Sequence, residues 1–177
     1  MGLGLKIFIL CLILAPVAIL IHEFGHIIAH IIFGYPFVLH YASVSGLEGS
    51  CENSIGGFNC IIIDTAGSLM TIIMGLIMAF LFKRTKNVFF FVFGSMFAGR
   101  AFMSLFFGVS DKNIISLLLR LRPYTIYEIT LIASIINAIT LLMELERNRI
   151  KILSMTIIGG ITGIFLWLNI IGPLILP

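Results

Sequence analysis

Four residues within the first thirty are placed to do chemistry together. The stretch IHEFGHIIAH, residues 21–30, holds His22, Glu23, His26 and His30 among apolar side chains. On an α-helix, residues four apart lie one above the other, with ~5–6 Å between Cβ atoms, so His22 and His26 can reach one metal ion. Glu23 projects ~100° round the helix from His22, near enough to touch a water at that metal without ligating it. This is the H-E-x-x-H arrangement, two zinc ligands and a general base for hydrolysis. A titratable group at the centre of a membrane helix costs ~2.5–3.5 kcal/mol on insertion scales, so several together in an apolar run need a reason. A metal site supplies it. His30 is eight residues from His22, ~12 Å along a straight helix, too far to share an ion whose ligand bonds are ~2.0–2.1 Å. It is read as a group behind the ligands or at the membrane interface.

The elements that must carry this cluster follow from composition. The chain has 177 residues, 60% hydrophobic and 11% charged, and a mean hydropathy of +1.17. A soluble domain carries about 25% charged residues. This chain cannot cover its surface with polar groups, so lipid is expected to be its solvent, in a single domain. Basic residues fall in short runs between apolar blocks, KRTK at 83–86 and RNRIK at 147–151. No basic stripe with interleaved aromatics suggests nucleic acid. Of three cysteines, Cys11 lies in an apolar run and reads as packing. Cys51 and Cys60 flank a Gly-rich turn and either pair in an oxidising space or stay as two thiols. The apolar N-terminal run is too long for a signal peptide and lacks a cleavage site.

Spans of ~20 apolar residues cross a bilayer core of ~30 Å. About five are expected, giving an all-α integral membrane protein. The first runs from Leu3 to Phe33, with Pro16 as a possible bend. Residues 34–63 break the pattern and read as one or two β-hairpins, with strand-like runs at VLHYASV and FNCIII. Unpaired strand edges cannot face lipid, so this segment belongs at the interface or between helices. Asp64 and Thr65 offer an N-cap to a second span, Ala66 to Phe82. A third runs from Val88 to Phe107 and contains Arg100, which either pairs with a carboxylate such as Asp64 or Glu128 or snorkels, a structural role being favoured over a catalytic one. A fourth covers Tyr124 to Met143. The fifth, Ile152 to Leu176, carries Gly159, Gly160 and Gly163 at helix-packing spacing. Residues 1–115 form the core with three spans, and 116–177 add two more.

The third metal ligand must come from elsewhere. His40, Glu48, Cys51, Glu52, Cys60, Asp64 and Asp111 are the candidates. Asp111 is favoured, because the third span runs parallel to the first and ends at the depth of His22 and His26. Asp64 lies at a similar level, where capping accounts for it. With His30, it is a candidate for the layer behind the ligands.

These features resemble the site-2 protease family of intramembrane zinc metalloproteases, as a small divergent member. HEFGH, 22–26, is similar to its first motif on a span. GGFNCIIID, 56–64, resembles the Gly-Gly and strand that follow it. AGSLMT, 66–71, is similar to an A-G-P-x-x-N helix start, with Ser68 and Thr71 in place of proline and asparagine. VSDKN, 109–113, resembles the aspartate motif, with Lys112 in place of glycine. The resemblance covers about residues 5–115. It implies one Zn2+ per chain and cleavage of a peptide bond in or near the transmembrane segment of a membrane-protein or membrane-peptide substrate. Gly25 would leave a helix face open to an extended substrate, and the segment of Gly56 and Gly57 would pair with it by β-addition. A non-proteolytic metal-binding membrane protein, a transporter or a pseudoprotease, is the competing reading. A membrane hydrolase acting on lipid is a third. Positive-inside counting sets Lys6, KRTK and RNRIK in the cytoplasm and the metal toward the outer face. The family resemblance implies the reverse, so the sequence leaves orientation open. It leaves the oligomeric state open as well.

Overall fold

Three helices of the computed structural model are long and apolar enough to cross a membrane, Leu3–Phe33, Ile62–Thr85 and Ile152–Ile175. The structure describes residues 2–41, 43–46, 58–107 and 149–176, with helical positions 132–133, 135–136, 138–141 and 143. The first helix, α1 (Leu3–Phe33), continues through Pro16. It stops at Gly34, whose φ of 71° puts it in the left-handed region and lets its N–H turn back to the carbonyls of His30 and Ile31. Glycine is the residue that adopts this cap at least cost, and Pro36 two positions later cannot resume the helix.

The chain then forms the expected hairpin. Strands β1 (Phe37–Leu39) and β2 (Val44–Gly46) pair antiparallel, with Phe37 opposite Gly46 and Leu39 opposite Val44. The His40 N–H donates to Ser43 O at 2.8 Å across the turn, and the His40 ring bonds Ser45 Oγ at 2.9 Å.

The strand expected at FNCIII is not there. Residues 58–64 open the helix α2 (Phe58–Thr85) rather than forming a strand. A short run rich in isoleucine reads alike as buried strand or buried helix, and here it joins an apolar block that closes its hydrogen bonds along its own axis. Asp64 and Thr65 therefore lie inside the helix rather than at its N-cap. The Thr65 hydroxyl donates back to Ile62 O at 3.1 Å. Cys60, in the first turn, is disulfide-bonded, while Cys11 is a free buried thiol. Cys51 lies outside the described residues.

A two-residue link joins α2 to α3 (Val88–Phe107). Lys86 takes a φ of 53°, and the Asn87 side chain caps α3 by accepting the Phe89 N–H at 3.0 Å. α2 and α3 lie antiparallel, with the Phe82 and Phe91 rings 5.4 Å apart and tilted by 57° and Gly94 against Met78. Arg100 falls within α3, but its side chain is outside what the structure describes.

The helix α4 (Arg149–Leu166) leads into a π-helical turn (Trp167–Ile171) and a short α5 (Gly172–Ile175). α4 runs parallel to α1, because Gly159 faces Phe8 and Cys11 while Gly163 faces Leu12 and Ala15. A Cβ at either glycine would meet α1 at 2.7–2.9 Å, so the expected small-residue packing is what brings the two backbones together. The core lies between α1, α2, α3 and α4, around Ile7, Cys11, Leu14, Phe91 and Phe97. Beyond it the helices turn large apolar side chains outward, Ile13 and Phe80 at 60% exposure or more, as surfaces that face lipid do. The expected fourth span falls mostly outside the described residues. Its Leu141 is buried against Gly94.

Candidate metal centre

His22, Glu23 and His26 sit on α1, eight to twelve residues before its Gly34 stop, on the face that meets α2. The helix pairing brings His26 beside Ile63 and His22 beside Thr71. His26 Nδ1 is 2.7 Å from Ile63 O. A carbonyl can only accept, so this nitrogen carries the proton. His22 Nδ1 is 2.9 Å from Thr71 Oγ1. That hydroxyl spends its own hydrogen on Gly67 O at 3.0 Å, so it accepts from His22. A neutral imidazole has one donor and one acceptor nitrogen. Each Nε2 therefore presents a lone pair, and the two Nε2 atoms stand 3.3 Å apart.

Two lone pairs facing each other at this distance repel, and a cation between them turns the repulsion into attraction. The spacing fits one ion in particular. Two nitrogens at ~2.0–2.1 Å from one tetrahedral zinc stand ~3.3–3.4 Å apart. Fixing Nδ1 by a carbonyl or hydroxyl and leaving Nε2 for metal is also how metal-binding histidines are oriented. One carboxylate oxygen of Glu23 and one nitrogen of each histidine lie within 4.8 Å of one another. Glu23 is 3% exposed. A carboxylate at that depth beside two imidazoles is suited to the field of a bound cation.

α2 is shaped to admit the rings. A Cβ at Gly67 would lie 2.3 Å from His26 Nε2 and 2.8 Å from His22 Cδ2. Only glycine leaves that volume to the imidazoles. Gly25 serves the same contact from α1. Its missing Cβ would meet Ala66 O at 2.6 Å and Met70 Cβ at 2.9 Å. The expectation that Gly25 opens a face to substrate is thus overturned, since the α2 backbone fills that face.

The other expected site residues fall as follows. His30 is buried beside Phe37, ring centroids 5.6 Å apart, and is not in the cluster. Asp64 follows Ile63 on α2, half-buried and likewise outside the cluster. His40 is engaged within the hairpin. Asp111, Gly56 and Gly57 lie outside the described residues, as do Glu48 and Glu52. α3 reaches toward the site before that boundary. Carried along the α2–α3 pair, the register of Met78 with Gly94 and Phe82 with Phe91 sets Phe107 about level with Thr65 and Ala66. The chain thus leaves α3 between the level of Ile63, which holds His26, and that of Gly67.

Sequence reasoning missed the parts played by Gly67 and Thr71. Both lie in AGSLMT, where Thr71 counted only as a departure from a motif. The available signal was their spacing, since positions 67 and 71 share one helical face as positions 22 and 26 do. Comparison with protein-family models, with characterised proteins and with solved structures finds no match to this chain.

Proposed function

We propose that this chain is a multi-pass intramembrane zinc metalloendopeptidase with five spans, of the kind its HEFGH motif resembles. The observation that carries the reading is the approach of the two Nε2 atoms to 3.3 Å with the buried Glu23 carboxylate beside them. His22 and His26 would hold one zinc ion, with Asp111 as third ligand four residues beyond the end of α3. Zinc bound there with one open position supplies an acidified water and a polarised substrate carbonyl. Glu23 is the general base. It takes the water's proton and passes it to the leaving amine. Ile63 O and Thr71 Oγ1 hold both rings in the tautomer that keeps Nε2 unprotonated. Burial between α1 and α2 limits the water that competes for these groups.

A transporter or pseudoprotease that merely holds metal has no need of a buried glutamate next to the ligand pair. The test separates the two readings. Glu23→Gln is expected to keep its zinc and to lose 10²- to 10⁴-fold in cleavage of a membrane-segment substrate, the range that general-base catalysis supplies. A variant retaining both zinc and full cleavage excludes Glu23 as the base. Asp111→Ala is expected to weaken zinc binding, and unchanged affinity would assign the third ligand elsewhere.

A further inference from the structure

Three features mark the two ends of the helix bundle, and they agree. The first is charge. Lys6 opens α1, Lys83, Arg84 and Lys86 lie at the α2–α3 link, and Arg149 and Lys151 open α4. The helix directions gather all of them at one end, with the metal pair toward the other. Arg100 falls within α3, and Lys112, Arg120, Arg122 and Arg147 lie outside the described residues. Basic residues of short loops stay in the cytoplasm.

The second feature is redox chemistry. The disulfide-bonded Cys60 belongs to the metal-site end, one turn before Ile63. Disulfides persist in oxidising spaces and are rare in the cytosol. The third is depth. His26 is twenty residues from Lys6, and Ile63 is twenty residues from Lys83. At 1.5 Å per residue each stretch is ~30 Å, the thickness of the hydrocarbon core. With the lysines at one boundary, the His26–Ile63 pair reaches the opposite one, and His22 lies one turn beneath it.

We propose that the metal centre opens within about one helical turn of the extracytoplasmic face, and that its substrates are juxtamembrane peptide segments of membrane-anchored proteins on that oxidising side. The orientation stands on the three features alone; the substrate class rests also on the peptidase reading above. A segment at the headgroup level has frayed from its helix or never joined it, so its amides are open to attack without unwinding a whole span.

Three measurements on the full chain test this. Ser43→Cys, in the exposed hairpin turn, and Lys86→Cys, at the α2–α3 link, are expressed in bacterial cells and treated with a membrane-impermeant maleimide. Ser43→Cys is expected to label in intact spheroplasts, and Lys86→Cys only after permeabilisation. The reverse pattern overturns the orientation. In the unaltered chain, Cys60 is expected to react with maleimide under denaturing conditions only after treatment with a dithiol. Reaction without the dithiol removes the redox argument, and the proposal with it. Two single-pass substrates then carry the same helix-poor segment just outside or just inside the membrane. The outer one is expected to be cut at least tenfold faster, and preference for the inner one overturns the substrate class. Failure to cut either by zinc-loaded protein that labels as expected sinks the peptidase reading and the substrate class, and leaves the orientation upheld.

Discussion

Replacing Gly67 with alanine tests whether α2 was shaped around the histidine pair. The added methyl would stand 2.3 Å from His26 Nε2, 2.6 Å from His26 Cδ2 and 2.8 Å from His22 Cδ2. Ordinary contact begins at 3.4 Å, so the His26 ring must retreat by about 1 Å or the helices must part. Parting is resisted across the same contact, because Gly25 already lies against Ala66 and Gly67. The rings therefore move, and their anchors at Ile63 O and Thr71 Oγ1 stretch with them. Loss of such supporting bonds costs 10–100-fold in metal affinity, and overpacking costs ~1–3 kcal/mol in stability. The assay is zinc affinity by competition with a chromophoric chelator, with thermal unfolding of the metal-free protein in parallel. Gly99→Ala, where nothing lies within 4 Å of the new methyl, is the control and is expected to bind zinc as the unaltered chain does. Gly67→Ala with zinc affinity within twofold of the unaltered chain would refute the argument. So would a loss matched by Gly99→Ala.

Thr71→Val keeps the side-chain volume and deletes the acceptor for His22 Nδ1–H. Zinc affinity is expected to fall 10–100-fold in the same competition assay, with Thr71→Ser restoring it. Gly163→Leu places a branched side chain where even a Cβ lies 2.9 Å from Cys11 O, so the α1–α4 contact should open, lowering the unfolding midpoint in detergent by an amount matching ~1–3 kcal/mol. Trp167→Phe removes the Nε1–H bond to Tyr41 O and should cost ~1 kcal/mol, read as faster proteolysis within the 37–46 hairpin while the helices stay intact.

How far the chain could be read in advance varied with the range of the interaction. The histidine pair and its glutamate follow from spacing within one helix, and the structure draws His22, Glu23 and His26 together. α1, α3 and the hairpin at 37–46 were legible because apolar length, Gly34 and Pro36 are local signals. The start of α2 was not. Isoleucines at 61–63 beside a Gly-Gly pair satisfy a strand template as well as a helix, and only the continuous helix shows which applies. That error also made Asp64 a cap. Gly25 was misread for a different reason. A missing side chain signals close approach without naming what approaches, and here it is the α2 backbone rather than a substrate. Gly67 and Thr71 act across two helices, so no pattern along the chain assigns them. Topology pointed to Asp111. α3 is described as far as Phe107, and Asp111 itself lies outside the described residues.

The central claim is that His22 and His26 jointly hold one metal ion. Its most direct measurement is the zinc content of purified protein after equilibration with a micromolar chelator, for the unaltered chain and for His26→Ala. One zinc per chain in the first and a content near zero in the second is the predicted result. Equal zinc in both, or none in either after reconstitution, would contradict it.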